Sequence, residues 1–246
     1  MPIIKRSSHS KSWKRIMLKL SGEVLVGKQN YGLDPEKISS ISKDISNVYY
    51  KKKEICIVVG GGNIFRGISG AAKGIERVTA DGMGMLATVI NALALQNAIE
   101  KNNVPTRVLS AIPMQTICEP FIRRRAIRHL EKGRVIILAA GTGNPYFSTD
   151  TAATLRAAEM NCDVIFKGTS VNGVYDSDPK KNANSIKYDN ISYKKVLADN
   201  LKVMDSSAIS LARDNQIPMI VFSILQPNAF ETACVGSGEF TLISEE

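Results

Sequence analysis

Residues 55–67 read Ile-Cys-Ile-Val-Val-Gly-Gly-Gly-Asn-Ile-Phe-Arg-Gly, an apolar run that ends in three consecutive glycines. The apolar run is typical of a strand buried in a parallel sheet. Glycines after such a strand permit positive φ and present bare backbone N–H groups at close range, which suits an anion. Arg66 adds a fixed positive charge to the same turn. The stretch indicates a phosphate site at a strand end or, in the simpler interpretation, a tight strand-to-helix turn.

The composition is that of a globular chain, with 246 residues and 44% apolar content. One α/β domain is the default expectation and two small domains are the alternative. Because no linker, low-complexity tract or repeat interrupts the chain, we expect a single domain over residues 15–246. Residues 1–14 are basic and serine-rich, which predicts a frayed tail rather than a signal peptide. No stretch reaches the ~18 uninterrupted apolar residues that span a bilayer, so we expect a soluble, cytoplasmic protein without membrane association.

The cysteine, histidine and charge patterns indicate which kinds of ligand and cross-link the protein can have. The cysteines are widely separated and form no Cys-x-x-Cys pair, and the only histidines are His9 and His129. This pattern argues against zinc and disulfides and fits a reducing cytosol. The net charge of +9 bears on association rather than fold, and it suits nucleic acid, an acidic membrane or small polyanionic substrates.

Short apolar runs alternate with helical patterns along the chain. Strands are predicted over residues 16–20, 55–59, 107–111, 135–140, 163–167, 219–224 and 240–243. One helix follows Asp34-Pro35, which supply an N-cap and a first-turn proline, and further helices are predicted over residues 83–101 and 151–160. This alternation predicts a three-layer α/β/α sandwich around a mainly parallel sheet, with ligands beyond the carboxyl ends of the strands.

Four predicted strand ends combine glycine with a polar or cationic group. They are residues 19–22 (KLSG), 60–62 (GGG), 141–144 (GTGN) and 167–169 (KGT). Their recurrence at one sheet edge favours two phosphate-bearing ligands. The P-loop pattern is absent, and the dinucleotide fingerprint fails because Phe65 stands where the third glycine belongs. The protein-kinase motifs are also missing.

Six ordered segments resemble a known family. They are KRIMLKLSGE (14–23), VVGGGNIFRG (58–67), ADGMGMLATVIN (80–91), AAGTGNPYFSTDTAA (139–153), FKGTSVNGVYDSDP (166–179) and LKVMDSSAISLARDN (201–215). From Lys14 onward the chain resembles the amino acid kinase superfamily and, within it, the bacterial-type UMP kinases. Glycine turns alone would fit other members, such as acetylglutamate or carbamate kinases. The GTGNPYFSTD stretch and Asp81 before GMGMLAT are similar to the UMP branch.

The resemblance implies phosphoryl transfer from ATP to UMP, which gives UDP and ADP in pyrimidine nucleotide biosynthesis. It implies Mg²⁺ carried mainly by the ATP phosphates and water, so we assign no protein metal ligand. It also implies a cytoplasmic homohexamer with GTP or UTP as effectors. Such transfer requires alignment and electrostatic stabilisation, and no general base, because the acceptor phosphate is mostly dianionic at neutral pH.

The same resemblance implies roles for individual residues. Lys19 and Arg66 match the transferring cations, and Asp205 matches the acid that orients the lysine, although Asp205 fits a helix N-cap equally well. The implied ATP-contacting positions are Lys19, Leu20, Ser21, Gly22, Gly62, Arg66, Thr169, Tyr175 and Asp178. The implied UMP-contacting positions are Gly61, Asp81, Thr142, Gly143, Asn144, Pro145, Tyr146, Phe147, Ser148 and Thr149. Asp150, next to this loop, fits the cap of a helix that begins at Thr151.

Two alternatives stay open at this point. The arginines at 123, 124, 125 and 128 are interpreted first as a solvated helix face, and second as an effector or assembly contact. A basic nucleic-acid regulator that has lost catalysis is disfavoured, because Lys19, Arg66, Asp81 and Asp205 are all present and no helix-turn-helix accompanies the charge. A second, regulatory activity stays open. The runner-up enzyme is a cousin that phosphorylates a carboxylate or carbamate.

Overall fold

A nine-stranded sheet forms the centre of the computed structural model, which describes residues 13–27, 29–65, 74–179, 181–182 and 184–245. The strands are β1 (Arg15–Leu20), β2 (Glu54–Val59), β3 (Thr106–Ser110), β4 (Glu119–Pro120), β5 (Val135–Ala139), β6 (Val164–Thr169), β7 (Val174–Tyr175), β8 (Lys187–Tyr188), β9 (Asn190–Ser192), β10 (Met219–Ser223) and β11 (Phe240–Ser244). The helices are α1 (Pro35–Tyr50), α2 (Arg77–Glu100), α3 (Arg123–Glu131), α4 (Thr149–Glu159), α5 (Tyr193–Ala198), α6 (Ser206–Asp214) and α7 (Ala229–Cys234), with a 3₁₀ turn at Gly22–Leu25.

The strand order in the sheet is β4-β3-β5-β2-β1-β6-β10-β11-β9, and β7 pairs with β8 in a separate antiparallel hairpin. The strands from β4 to β10 are all parallel, and β11 runs antiparallel to β10. Because parallel strands end at the same edge, the carboxyl ends of β5, β2, β1 and β6 lie side by side. The predicted α/β/α fold with a mainly parallel sheet is confirmed.

Alternate residues of each central strand enter two separate cores. Ile16, Leu18 and Leu20 pack on the face covered by α1, α2 and α7. Met17 and its neighbours pack on the other face, which α3, α4, α5 and α6 cover. Both faces are therefore dry, which explains why the strands read as continuous apolar runs rather than as alternating ones.

The predicted strands all occur, with ends that differ by at most two residues. Asp34 caps α1 as expected, with its carboxylate accepting from Glu36 N at 2.9 Å. Two helix starts were predicted wrongly. Helix α2 begins at Arg77 rather than at residue 83, and α4 begins at Thr149 rather than at Thr151, with Ser148 as its N-cap. Asp150 therefore lies inside the first turn of α4.

Residues 1–12 of the predicted tail lie outside the described residues. Trp13, the next residue, packs its ring edge-on against Phe166 with the centroids 5.6 Å apart. Helix α2 is long and apolar enough to span a membrane by length and composition alone, and one such helix is a weak indication. Its Val89, Ala92 and Leu95 are buried in the core with α1 and the sheet.

Candidate active site

The four predicted glycine turns meet at the carboxyl edge of the sheet. Gly60 N donates to Leu20 O at 2.9 Å, and Ser21 N donates to Gly168 O at 3.4 Å. The turn after β5 is linked to helix α2, because Ala140 N donates to the hydroxyl of Thr88 at 2.8 Å. The segment that carries Arg66 lies outside the described residues.

Gly61 of the glycine triplet and the nearby Gly22 are required for space rather than for positive φ. A Cβ built on Gly61 would lie 2.8 Å from Gly84 O and 2.9 Å from the Cβ of Ala87, both on α2. A Cβ on Gly22 would lie 2.5 Å from Asn63 Oδ1 and 2.8 Å from Gly60 O. Gly60 and Gly61 do not have positive φ, so that part of the sequence interpretation was wrong. Positive φ occurs instead in the turn after β5, at Gly141 and Gly143.

A buried pair of asparagines supports the glycine turn. Asn91 on α2 donates to Gly60 O at 2.6 Å and to Asn63 Oδ1 at 2.7 Å, and Asn63 donates to Gly32 O at 2.8 Å. Both side chains are buried, at 0% and 4% exposure. Buried amides with all partners satisfied hold a backbone in a single arrangement. Their supporting role was not predicted, because 28 residues separate them in the chain.

A buried triad of charges occupies the middle of this edge. Lys19 Nζ lies 2.6 Å from Asp150 Oδ1, and Lys167 Nζ lies 2.8 Å from Asp150 Oδ2. Lys19 comes from β1, Lys167 from the neighbouring β6, and Asp150 from the first turn of α4. The side chains of both lysines are at most 10% exposed. Two buried cations thus share a single carboxylate.

The electrostatics of the triad keep Asp150 ionised. Burial alone would raise the pKa of Asp150, but the charges and hydrogen bonds of Lys19 and Lys167 outweigh it and lower this pKa to about 2. Burial lowers the pKa of Lys167, and the opposing attraction of Asp150 offsets this only in part. Asp150 was predicted only as a helix cap, and Lys167 only as a cation at a strand end.

Asp205 contacts the start of α4, the helix that carries Asp150. It is the N-cap of α6, where its carboxylate accepts from Ala208 N at 2.8 Å, so the cap interpretation is confirmed. It also accepts hydrogen bonds from the hydroxyls of Thr151, at 2.8 Å, and Ser148. Among the ion pairs of the described residues, the partner of Lys19 is Asp150 and not Asp205. Asp205 therefore fixes the start of α4, which carries Asp150.

The predicted acceptor loop is held against α2. Asp81, on the second turn of α2, accepts from Tyr146 N at 2.8 Å and from Arg77 Nε at 2.8 Å. Within the loop, Asn144 N donates to the hydroxyl of Thr142 at 3.1 Å. Tyr146 adopts φ of 70°, and its ring and that of Phe147 are 66% and 56% exposed. Loop residues 142–149 therefore run from the turn after β5 to the cap of α4.

The predicted donor positions lie toward the other side of the triad. Thr169 ends β6, and its carbonyl accepts from Ile224 N at 3.0 Å. Tyr175 lies on β7, and Asp178 lies in the loop that joins β7 to β8. Leu20, Ser21 and Gly22 connect β1 to the 3₁₀ turn. Since β1 lies between β2 and β6 in the sheet, Lys19 lies between the acceptor positions that follow β2 and β5 and the donor positions on β6 and β7. The predicted donor position Gly62 is the exception, because it follows β2 next to Gly61.

The arginine run on α3 is paired mainly with nearby oxygen atoms. Arg125 and Arg128 lie 3.8 and 3.1 Å from Glu119 and Glu131, and their side chains are 44% and 65% exposed. Arg123 donates to the carbonyl of Glu159. This arrangement fits the interpretation as a solvated helix face.

The comparison with known proteins agrees with this geometry. A sequence model of the amino acid kinase family matches residues 14–223. The chain belongs to the amino acid kinase family. Within it, the chain is 57% identical to a uridylate kinase of Paramagnetospirillum magneticum over 95% of this chain and 98% of the relative. It is 60% identical to a uridylate kinase of Erythrobacter litoralis over 94% and 97% of the two chains.

Solved structures of this amino acid kinase family give the same result. The UMP kinase of Ureaplasma parvum aligns with a TM-score of 0.90 at 41% identity and covers 94% of this chain and 99% of its own. The UMP kinase of Bacillus anthracis aligns with a TM-score of 0.91 at 37% identity, over 96% and 98% of the two chains.

Proposed function

We propose that this chain transfers the γ-phosphoryl group of ATP to UMP and releases UDP and ADP. The observation that carries the proposal is the similarity to uridylate kinases at 57–60% identity over nearly the whole of both chains. The chain covers 97–98% of the length of these relatives. The described geometry supports the same reaction, because anion-binding turns lie on both sides of a buried lysine.

Lys19 is the cation at the point of transfer. In the proposed complex, UMP lies beyond β2 and β5 and ATP lies beyond β6, so the two phosphate groups meet over β1. Their mutual repulsion is the main barrier to alignment, and a fixed cation between them lowers it most where charge is shared in the transition state. Arg66 would provide the second cation, as a fork that engages two oxygens.

Asp150 holds the ammonium group of Lys19 in place. Its carboxylate lies 2.6 Å from Lys19 Nζ and offsets part of the cost of burying this cation. Because Asp150 is shared between two lysines, the triad has a net charge of +1 that is available to a phosphoryl group. Asp205 contributes through the hydroxyls that cap α4 and is a positioning residue in this account.

The acceptor nucleotide binds on the α2 side. Asp81 offers carboxylate oxygens that suit the neighbouring hydroxyls of a ribose, and its contact to Tyr146 N orders the loop from Thr142 to Thr149 at the same time. Gly61 brings the backbone close to the UMP phosphate. The exposed rings of Tyr146 and Phe147 lie on this loop and are available for packing on the bound nucleotide.

Mg²⁺ enters as part of the Mg-ATP substrate. Among the residues that the structure describes, no group of three or more His, Cys, Asp or Glu side chains is placed to hold a metal ion. Asp150 is engaged by two lysines, and Asp205 by two hydroxyls and an N–H group. We propose that the ATP phosphates and water supply the ligands of Mg²⁺, because this ion usually keeps several waters and binds substrate phosphates.

We further propose that the enzyme is a cytoplasmic homohexamer of pyrimidine nucleotide biosynthesis with GTP or UTP as effectors. Support for assembly comes from α2, which exposes an apolar stripe of Met83, Leu86 and Ile90 at helical spacing, with Leu86 52% exposed. Exposed apolar stripes of this kind mark interaction surfaces.

A substrate panel tests the proposed reaction. Purified protein is incubated with Mg-ATP and, separately, UMP, CMP, dUMP, AMP, carbamate and N-acetylglutamate, and the products are separated by ion-exchange chromatography. We expect UDP from UMP at the highest kcat/KM. Preferred turnover of carbamate or the acyl substrate would replace this proposal with the runner-up.

A further inference from the structure

The hairpin formed by β7 and β8 is too small to hold its own shape. Each strand contains two residues, and the hairpin forms a sheet separate from the central one. A two-stranded hairpin is at best marginally stable in water. Yet it carries Tyr175, a proposed ATP-contacting residue, so contacts from outside must fix its position.

One hydroxyl ties both strands of the hairpin to the last strand of the sheet. Thr241 on β11 is fully buried. Its hydroxyl group accepts from Val174 N on β7 at 2.8 Å and donates to Tyr188 O on β8. A Cβ on Gly173 would lie 2.6 Å from this hydroxyl oxygen, so glycine permits the close approach.

A second polar link reaches the aromatic ring itself. The hydroxyl of Tyr175 donates to Asn172 Oδ1 at 2.5 Å, and the amide of Asn172 donates to Glu239, the residue before β11. The Tyr175 ring is therefore held at its far end by a chain of two hydrogen bonds. Both links begin in the same three residues, 239–241.

We propose that Thr241 and Asn172 are positioning residues for ATP, because they hold the β7–β8 hairpin and the Tyr175 ring in the orientation that receives the nucleotide. The inference rests on the proposed function, in which ATP is the donor. It follows that loosening these links lowers the fraction of molecules with the hairpin in place, and the apparent affinity for ATP falls by that fraction. UMP binding, which uses α2 and the loop at 142–149, is unaffected.

The test is Thr241→Val, which removes the hydroxyl at nearly constant volume. We expect KM for ATP to rise about tenfold, equivalent to about 1.4 kcal/mol, with KM for UMP and kcat at saturating ATP within about twofold. Thr241→Ser retains the hydroxyl and should restore the wild-type KM. Asn172→Ala, at a partly exposed position, gives a smaller rise of about threefold in the same direction and carries the test if Thr241→Val does not fold.

Thr106→Val is the matched control. Thr106 is fully buried, and its hydroxyl donates to Val104 O at 3.0 Å at the start of β3, on the opposite edge of the sheet. The Thr106→Val variant should lose about as much thermal stability as Thr241→Val and leave KM for ATP and KM for UMP unchanged. The inference is refuted if Thr241→Val and Thr106→Val behave alike, or if Thr241→Val raises KM for ATP and UMP equally.

Calorimetric titration with a non-hydrolysable ATP analogue separates this inference from the proposed reaction. If the wild-type chain binds the analogue but phosphorylates another acceptor, only the proposed reaction is overturned. The Thr241→Val comparison then still tests whether Thr241 positions the hairpin for ATP. A wild-type chain that neither binds the analogue nor makes UDP overturns both.

Discussion

Replacing Asp150 with asparagine removes the one negative charge shared by Lys19 and Lys167 while it preserves shape. The pKa of Asp150 is lowered from 3.8 to about 2, and each pKa unit corresponds to about 1.4 kcal/mol, so the ionised carboxylate stabilises the fold by about 2–3 kcal/mol. Breaking a buried ion pair costs about 3–5 kcal/mol because the other charge stays behind. We therefore expect Asp150→Asn to lower the free energy of unfolding at pH 7 by about 2–5 kcal/mol.

The pH dependence of the stability difference between wild type and Asp150→Asn provides a second, independent test of this prediction. Since the pKa of Asp150 is lower in the folded protein than its ordinary value of 3.8, its stabilisation is complete above about pH 5 and is lost as the pH falls toward 2. The difference between wild type and Asp150→Asn should therefore shrink steadily over that range. Only well below pH 2 do both chains carry a neutral side chain at this position.

Urea unfolding followed by circular dichroism, at one protein concentration and a series of pH values, measures both quantities. The matched control is Asp214→Asn, which removes an exposed aspartate beside Arg213 and should change stability by less than about 0.5 kcal/mol. The reasoning fails if Asp150→Asn and Asp214→Asn are equally stable at pH 7. It also fails if the deficit of Asp150→Asn is as large at pH 2.5 as at pH 7.

Two further pairs of substitutions, each a variant with its control, test the packing of the site and the assembly surface. Gly61→Ala places a Cβ 2.8 Å from the backbone of α2 and should cost about 1–3 kcal/mol and raise KM for UMP, whereas Gly82→Ala, with open space around it, should raise the melting temperature because alanine favours the helix. Equal melting temperatures would contradict this. Leu86→Lys should reduce the assembly size seen by light scattering, while Val235→Lys, at an equally exposed apolar position, should not; an unchanged mass for both would exclude the α2 stripe as the contact.

The fold could be predicted closely because each central strand is apolar on both faces and ends at glycine. The start of α2 was missed because Gly82 and Gly84 lie within it, and glycine disfavours helix interiors by about 1 kcal/mol each. Packing does not explain either glycine, since a Cβ built on Gly82 or Gly84 would meet no atom within 4 Å. The two-residue strands β7 and β8 carry too few residues for any periodicity.

The candidate site could be predicted by position but not by pairing. Lys19 and Lys167 were both noted at strand ends, and adjacency of β1 and β6 in the sheet is what places them together. Asp150 was interpreted as a cap because Thr151 begins an apolar pattern. The structure gives the cap to Ser148, and one turn of helix then aims Asp150 between the lysines. Lys19 and Asp150 are 131 residues apart in the chain, and Asp150 and Lys167 are 17 apart. Tertiary structure brings these pairs together, and the local sequence does not encode it.

The account depends most directly on the charge of Lys19 at the point of phosphoryl transfer, and its test is the rate of UDP formation by Lys19→Met at saturating Mg-ATP and UMP. The remaining pair of Asp150 and Lys167 should keep this variant folded, which its circular dichroism spectrum checks. We predict a kcat at least about 100-fold below wild type, in the range found when one oxyanion-stabilising group is removed. A folded Lys19→Met protein that makes UDP within about twofold of the wild-type rate would contradict the account.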